Sequence, residues 1–283
     1  MEADRGAVSL PHRTAIVGIG LLGGSLGMAM RRRRAQVVGF DVRSEVVGRA
    51  IARGAIDSGG TDPAIVSLAD FVILATPLDQ LAKVAADLAG LFRPGCLITD
   101  VGSVKAPIVS KIEALLPRTV RYVGGHPMFG TSAEGIEAAD GSLVAGSTFV
   151  LTPTERTDAA AVEELTQWAA SLEMKPHCLS PQEHDTQIAS LSHLPYLIAS
   201  SLVASVDDVQ AAGPAFQEMT RVAMSPPALW RSILQENHAA ISASLQRFEA
   251  ELARLWALEG DPLKQALDHL QAKRLAMFPQ SKR

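Results

Sequence analysis

The chain has 283 residues, 47% of them hydrophobic and 20% charged, which suffices for two domains with buried cores and excludes a disordered chain. Its 26 lysines and arginines against 30 aspartates and glutamates give a net charge of −4, which argues against a nucleic-acid binder that works through a basic field. Two cysteines are too few for a disulfide framework or a zinc cluster, so we expect a reducing compartment, the cytoplasm.

Two stretches without formal charge, 14–30 and 186–206, raise the question of a leader or a membrane anchor. The first contains five glycines and is shorter than the roughly 20 apolar residues of a membrane span. The second carries five serines and a proline, and a buried helix explains it better. We therefore expect no membrane partner and no targeting segment.

A β-branched run at 14–17 leads into a glycine-rich turn and then an apolar helical pattern. Gly18, Gly20 and Gly23 fit the spacing G-x-G-x-x-G, which permits a tight turn, close approach of a pyrophosphate and close packing of helix on strand. Leu21 and Leu22 lie at the start of the helix, where its N-terminus attracts an anion. The pattern predicts a dinucleotide site, and a glycine-rich packing turn is the alternative.

A second strand, predicted over 36–40, ends at Asp41. In a dinucleotide-binding unit a carboxylate at this place hydrogen-bonds the adenosine ribose. Asp41 favours NAD because it would repel the 2′-phosphate of NADP, whereas the nearby Arg43 weakens that preference and leaves NADP open. The four arginines at 31–34 are interpreted as the cationic end of the first helix rather than as a phosphate-binding patch.

Strands and helices continue to alternate through the first half of the chain, which predicts a Rossmann-type, doubly wound parallel sheet. Further strands are predicted at 71–77, 96–101, 121–126 and 147–153, with helices at 79–91 and 104–116. Ligands bind beyond the carboxyl ends of the strands in such sheets. Thr76 and Pro77 end one strand, Ser103 follows the next, and His126 ends a third.

A dehydrogenase that acts on an alcohol needs a base for the hydroxyl proton, and a neutral imidazole is suited to this near pH 7. His126 is the candidate base, and Ser103 at the neighbouring strand end is the candidate to orient it. A purely structural histidine in a Gly-Gly-His-Pro turn is the alternative that the residues alone leave open.

After about residue 180 the strand pattern stops, and helices are predicted at 182–209, 215–223, 226–258 and 262–278. We therefore divide the chain into a dinucleotide-binding domain, 1–180, and an all-helical substrate-binding and dimerisation domain, 181–283. Ser192, His193 and Arg221 are its candidate substrate-binding residues; a core histidine and a surface arginine are the alternatives. The acidic and histidine residues at 183–185 are interpreted as a helix N-terminus, and no metal site is predicted.

Five segments in this order resemble the prephenate/arogenate dehydrogenase family of tyrosine biosynthesis: GIGLLGGSLG, DVGSVK, GGHPMFGT, EHDTQIASLSHLP and MTRVAMSPPALW. The resemblance covers nearly the whole chain, and the combination of GSVK, GGHP and SHLP is specific although each alone is not. It implies a dinucleotide domain, a helical dimerisation domain and a homodimer. The implied reaction is oxidative decarboxylation of prephenate or arogenate, with hydride transfer to the nicotinamide.

The resemblance also implies roles for single residues. His126 matches the histidine that takes the proton of the substrate hydroxyl, and Ser103 matches the serine that supports it and the nicotinamide. Arg221 matches the arginine that grips a substrate carboxylate, and His193 matches the histidine at the side-chain end of the pocket. Some members have an acidic residue where this chain has Ser132, so its gating role is not transferred.

Two alternatives to this function are considered. Another two-domain dehydrogenase, of the 3-hydroxyacid or imine-reductase type, often has a lysine base on the first helix of its second domain, but no lysine lies between Lys175 and Lys264. A catalytically silent NAD-binding dimer would not require His126, Ser103, His193 and Arg221 together. The sequence leaves the choice between prephenate and arogenate open.

Overall fold

The computed structural model describes residues 13–131 and 133–278, and Ser132 lies outside them. An eight-stranded sheet in the order β3-β2-β1-β4-β5-β6-β7-β8 forms its first part. The strands are β1 (Arg13–Val17), β2 (Gln36–Phe40), β3 (Ser58–Gly60), β4 (Phe71–Leu74), β5 (Leu97–Asp100), β6 (Arg121–Pro127), β7 (Thr148–Thr152) and β8 (Lys175–Cys178).

Helices cover the sheet and then form the rest of the described chain. They are α1 (Leu21–Arg32), α2 (Ser44–Ala52), α3 (Leu81–Leu88), α4 (Ala106–Leu115), α5 (Ala159–Ser171), α6 (Pro181–Ile188), α7 (Leu194–Ala204), α8 (Pro214–Thr220), α9 (Pro227–Glu236), α10 (His238–Trp256) and α11 (Gly260–Met277). Within residues 13–131 and 133–278, no helix has both the length and the apolar character needed to cross a membrane.

The predicted doubly wound sheet is confirmed for β1 to β6, which are all parallel. The parallel arrangement does not extend to β7, which pairs antiparallel with β6, Gly124 opposite Thr152 and His126 opposite Val150. Leaving Ser132 aside, the segment between them contains short 3₁₀ turns and no α-helix. A parallel partner requires a longer crossover, usually a helix, whereas a return without one reverses the strand direction.

Apolar side chains fill both faces of the sheet. On one face Trp168 of α5 packs edge-on against Phe71 and Phe149, with ring centroids 5.1 and 5.4 Å away. On the other face, α3 and α4 bury their apolar sides. Because both faces are covered, a central strand such as β4 is apolar along its length, and the polar residues of interest lie at or just beyond the carboxyl ends of the strands.

Two predicted long helices are interrupted in the structure. The helix expected over 182–209 consists of α6, a π-helical turn at Ala189–His193, and α7, which ends at Ala204. The helix expected over 226–258 is divided into α9 and α10 at Asn237, whose φ and ψ of −110° and 24° are not helical. The Asn237 side chain donates a hydrogen bond to the Asp185 carbonyl at 2.9 Å, so a tertiary contact fixes the break.

Candidate active site

The glycine loop after β1 has the geometry that a dinucleotide phosphate requires. Gly18 has a φ of +88°, and a Cβ there would lie 2.7 Å from the Ala75 carbonyl oxygen. A Cβ on Gly23 would lie 2.2 Å from the Gly18 carbonyl oxygen, so the glycine lets α1 pack against β1. Gly20 instead faces open space, with no atom within 4 Å of such a Cβ. That open face, beside the N-terminus of α1 at Leu21 and Leu22, suits a pyrophosphate.

Asp41 lies at the end of β2 and is 6% exposed. Its carboxylate accepts hydrogen bonds from the backbone amides of Ile19, at 3.1 Å, and Arg43, at 3.0 Å. The Arg43 side chain, itself 59% exposed, pairs with the same carboxylate at 3.3 Å. The carboxylate therefore braces the glycine loop and borders the place where an adenosine ribose would lie. The loop and the carboxylate fit NAD.

His126 lies at the carboxyl end of β6. It is 8% exposed, and its Nδ1 lies 2.8 Å from Nε2 of His184. Burial, and then the proximity of His184 and Lys105, holds the pKa of His126 well below its ordinary value. The imidazole is therefore neutral near pH 7, as a general base has to be before it accepts a proton.

The other residues expected at the strand ends lie in the adjacent turns. Ser103 is half-buried in the turn between β5 and α4, and β5 is the parallel neighbour of β6. Thr76 and Pro77 follow β4, beside the glycine loop, and no atom of the described residues hydrogen-bonds the buried Thr76 Oγ1. The hydrogen bond that the structure gives to His126 goes to His184, so the orienting role of Ser103 stays a prediction.

A buried ion pair under the histidine was not anticipated. Lys105 is completely buried, and its Nζ donates to the Asp100 carboxylate and, at 2.7 Å, to the Gly125 carbonyl oxygen. The Tyr122 hydroxyl donates to the other Asp100 oxygen at 2.7 Å. Burial lowers the pKa of Lys105 and raises that of Tyr122. This cluster fixes the backbone before His126, and the signal for it was the acid and the lysine of DVGSVK.

The residues at 183–185 do more than begin a helix. Ser180 and Glu183 form a reciprocal capping box, which confirms the predicted start of α6. His184 and Asp185, by contrast, are buried and point toward β6 and α4. His184 Nδ1 lies 2.7 Å from Asp185 Oδ1. Within the described ranges no cluster of three or more possible metal ligands occurs.

A second buried histidine lies on the helical side. His193, 1% exposed, closes the π-helical turn, and its Nδ1 lies 3.1 Å from the Asn237 amide nitrogen. Its Nε2 is buried and lacks a hydrogen-bond partner among the described residues. Burial lowers the pKa of His193 to about 4. Tyr196 stacks on Trp230 with ring centroids 3.8 Å apart, and the Trp230 ring lies edge-on to His193 with centroids 6.0 Å apart.

The contacts of Ser192 and Arg221 do not identify a substrate-binding role for either residue. Ser192 is half-buried in the π-helical turn beside His193. Arg221 begins the 3₁₀ turn Arg221–Met224, which packs against α7, and its side chain is exposed. Throughout 13–131 and 133–278, no hydrogen bond or ion pair joins this guanidinium to His126 or His193. The role of Arg221 as a carboxylate clamp stays a prediction.

Two sequence profiles of known protein families together match most of the chain. The nucleotide-binding domain of prephenate dehydrogenase matches residues 26–176, and the dimerization domain of prephenate dehydrogenase matches residues 180–270. The chain belongs to the prephenate dehydrogenase family. The predicted family is thereby confirmed.

Individual family members agree with this assignment. Prephenate dehydrogenase of Bacillus subtilis is 34% identical, over 93% of this chain and 72% of that protein. Cyclohexadienyl dehydrogenase of Zymomonas mobilis is 32% identical over 93% of this chain and 95% of that protein. The crystal structure of Aquifex aeolicus prephenate dehydrogenase with hydroxyphenyl propionate and NAD+ superposes with a TM-score of 0.89 at 30% identity, covering 96% of this chain and all of that one.

The alternative dehydrogenase type is not favoured. A 3-hydroxyisobutyrate dehydrogenase from Mycobacterium tuberculosis matches with a TM-score of 0.59 at 15% identity, covering 94% of each chain. Identity at that level shows a shared fold alone. The prephenate dehydrogenase family, in contrast, matches in both sequence and structure.

Proposed function

We propose that this protein catalyses the NAD-dependent oxidative decarboxylation of prephenate or arogenate in tyrosine biosynthesis, with His126 as the base. Family membership supports the reaction class. The observation that supports the role of His126 is its placement at the carboxyl end of β6 as a buried imidazole whose pKa is lowered by desolvation.

His126 moves one proton in this scheme. The ring carbon that bears the hydroxyl loses its hydrogen with the bonding pair, while His126 takes the hydroxyl proton. The C–C bond to the ring carboxylate then breaks, CO₂ leaves, and the bonding pair enters the ring, which becomes a phenolate. His126 returns the proton to that oxygen, so no net proton is consumed. A positioned base of this kind contributes about 10²–10⁴-fold to the rate.

The glycine loop and Asp41 hold NAD in this proposal, with Thr76, Pro77 and Ser103 bordering the nicotinamide end. NAD, when bound, supplies the hydride acceptor. The solved Aquifex aeolicus relative, which is described with NAD+, supports this choice. The open face at Gly20 and the brace from Asp41 to Ile19 are the features of this chain that suit it.

The substrate side chain is assigned to the helical side of the site. The buried Nε2 of His193 needs a partner, because an unsatisfied buried polar atom costs about 1–3 kcal/mol. Ser192 is its neighbour on the π-helical turn. Arg221 is proposed to bind a substrate carboxylate, to which a guanidinium can donate two parallel hydrogen bonds.

A rate assay tests the function. Purified protein with NAD and either prephenate or arogenate should form reduced nicotinamide, followed by its absorbance. His126→Asn should lower kcat by about 10²–10⁴-fold and leave the Kd for NAD unchanged, whereas the exposed His177→Asn should match wild type. Absence of reduced nicotinamide with both substrates contradicts the function. An effect of His126→Asn on KM alone contradicts the role of the base.

A homodimer formed through the helical part is also proposed. The match to a dimerization domain supports it. Apolar side chains on α10 and α11 are largely exposed in the single chain, with Trp256 at 89%, and Leu252, Leu267 and Leu275 above half. Large apolar side chains left exposed on two successive helices are typical of an interface. Light scattering on the purified protein should give twice the chain mass, and Trp256→Glu with Leu252→Glu should shift it toward the single-chain mass.

The proposed compartment is the cytoplasm, and the proposed partners are small molecules rather than nucleic acid. The cysteines support a reducing compartment, since Cys96 and Cys178 are both free. Burial raises the pKa of Cys96 to about 12, so this thiol is unreactive.

A further inference from the structure

Three side chains form a continuous hydrogen-bonded line that ends at the proposed base. Asp185 Oδ1 lies 2.7 Å from His184 Nδ1, and His184 Nε2 lies 2.8 Å from His126 Nδ1. All three are buried, at 5%, 0% and 8% exposure. The line crosses from α6 to β6, two elements whose residues are 58 positions apart in the sequence.

The Asp185 carboxylate determines the direction of these hydrogen bonds. It already accepts from the backbone amides of Lys105 and Ala106, each at 2.7 Å. Because each of its oxygens accepts from a backbone N–H, which can only donate, this carboxylate is held as an acceptor. His184 Nδ1 therefore donates to Asp185.

The tautomer of His126 follows from that direction. Burial lowers the pKa of His184, so its ring is neutral and carries one proton, which is on Nδ1. Its Nε2 is then an acceptor, and the proton between the two rings belongs to His126 Nδ1. The remaining nitrogen of His126, Nε2, keeps its lone pair, which is the atom a substrate proton must reach.

We infer that His184 and Asp185 are positioning residues that hold His126 in the Nδ1–H tautomer, with the Nε2 lone pair directed at the substrate hydroxyl. This inference rests on the proposed role of His126 as the base. It goes beyond that role because it gives His184 and Asp185, which do not touch the reacting atoms, a function in positioning the base.

The line also gives the protonated base a hydrogen-bond acceptor at Nδ1. When His126 Nε2 takes the substrate proton, the ring becomes an imidazolium whose Nδ1–H still donates to His184, and His184 donates to the carboxylate. The other charged or titratable groups facing this line are Lys105, which is paired with Asp100, and His193. Lys105 opposes a positive charge on His126, and the Asp185 carboxylate lies at the far end of the line, where it accepts from His184.

Two substitutions of His184 separate a positioning role from a packing role. His184→Leu removes the acceptor that both selects the tautomer of His126 and holds its ring in place, so kcat should fall about 10²-fold. In His184→Gln the amide oxygen can accept from His126 Nδ1–H, and kcat should stay within about tenfold of wild type. His177→Leu, on the exposed β8, is the matched control and should match wild type.

Ring ¹⁵N chemical shifts of histidine-labelled protein without substrate test the tautomer independently of activity. Nδ1 of His126 should be protonated and Nε2 unprotonated in the wild type and in His184→Gln, and the two forms should mix in His184→Leu. A protonated Nε2 in the wild type overturns the inference, as does a kcat for His184→Leu equal to wild type. If the tautomer is as inferred but no substrate is turned over, the proposed function fails and the tautomer assignment stands.

Discussion

The carboxylate of Asp185 lies 2.7 Å from the backbone amide of Lys105, 80 positions earlier in the chain. Its second oxygen accepts from the next amide, that of Ala106, also at 2.7 Å. One side chain of α6 thus satisfies two of the free amides at the N-terminus of α4. A carboxylate is favoured there by the helix dipole as well. The helical part of the protein is thereby attached to the nucleotide-binding part at the place where His126 lies.

We expect Asp185→Asn to destabilise the protein by about 2 kcal/mol, the range for a hydrogen bond to a charged group. An amide has a single acceptor oxygen, and its NH₂ would face one of the two backbone N–H groups. Urea denaturation measures the loss of unfolding free energy, and kcat should fall as well because the anchor of His184 is weakened.

Asp158→Asn is the matched control, because Asp158 accepts from the Ala160 amide at the exposed N-terminus of α5. Asparagine is as good an N-cap as aspartate, so its effect on stability should stay within about 0.5 kcal/mol. Equal stability losses in the two variants would mean that Asp185 is only an ordinary helix cap.

The nucleotide half of the site could be predicted because its determinants are local. Gly18, Gly20, Gly23 and Asp41 stand at spacings that recur wherever a strand, a turn and a helix bind a dinucleotide. The apolar strands and the helix start at Ser180 are also local patterns. The direction of β7 is not determined by a local pattern, because an apolar run such as STFVLTP is compatible with a parallel and with an antiparallel strand.

The support of His126 could not be predicted for a similar reason. His184 and Asp185 follow a proline and two polar residues at a helix start, and this local pattern indicates a cap. They contact His126 and Lys105, which are 58 and 80 positions away in the sequence. A local sequence pattern does not predict contacts between residues so far apart. The helix break at Asn237 is likewise set by a tertiary hydrogen bond, because the apolar period continues through it.

Alanine at Gly20 and at Gly23 should have opposite consequences. A methyl group on Gly20 meets no protein atom, so Gly20→Ala should fold with an unchanged Tm but occupy the space of the pyrophosphate and weaken NAD binding at least about tenfold, or 1.4 kcal/mol. On Gly23 it would lie 2.2 Å from the Gly18 carbonyl oxygen, so Gly23→Ala should lower the Tm.

Gly48→Ala in α2 is the control for these two, because it also meets no atom within 4 Å but lies away from the loop. It should keep the NAD affinity and gain slightly in stability, as alanine favours a helix by up to about 1 kcal/mol over glycine. Fluorescence titration with NAD and thermal unfolding report both quantities. Unchanged NAD affinity in Gly20→Ala would show that the pyrophosphate does not bind at this loop.

The stability of the protein should fall as the pH falls below about 6.5. Burial lowers the pKa of His126, His184 and His193, the last to about 4 from an ordinary value of 6.5. Between those values the unfolded chain binds more protons than the folded one, so the unfolding free energy decreases with decreasing pH. Urea denaturation from pH 7.5 to 4.5 measures the slope.

His193→Gln should flatten that slope, because one of the groups that must stay neutral in the folded state is removed. His177→Gln, at an exposed position on β8, should leave the slope as in wild type. A slope that is identical in His193→Gln and wild type would show that burial of His193 does not limit its protonation.

Asp41→Ser should shift the cofactor preference toward NADP by about tenfold or more in the ratio of kcat/KM values, equivalent to 1.4 kcal/mol. The carboxylate that repels a 2′-phosphate is removed, and the Arg43 guanidinium, now paired with it at 3.3 Å, becomes available to that phosphate. Asp41→Ser with Arg43→Ala is the control: it should lose NAD preference without gaining NADP activity. Because Asp41 also accepts from the Ile19 amide, the Tm of each variant separates cofactor effects from a loosened loop. An unaltered ratio at an unaltered Tm would mean that Asp41 does not contact the ribose.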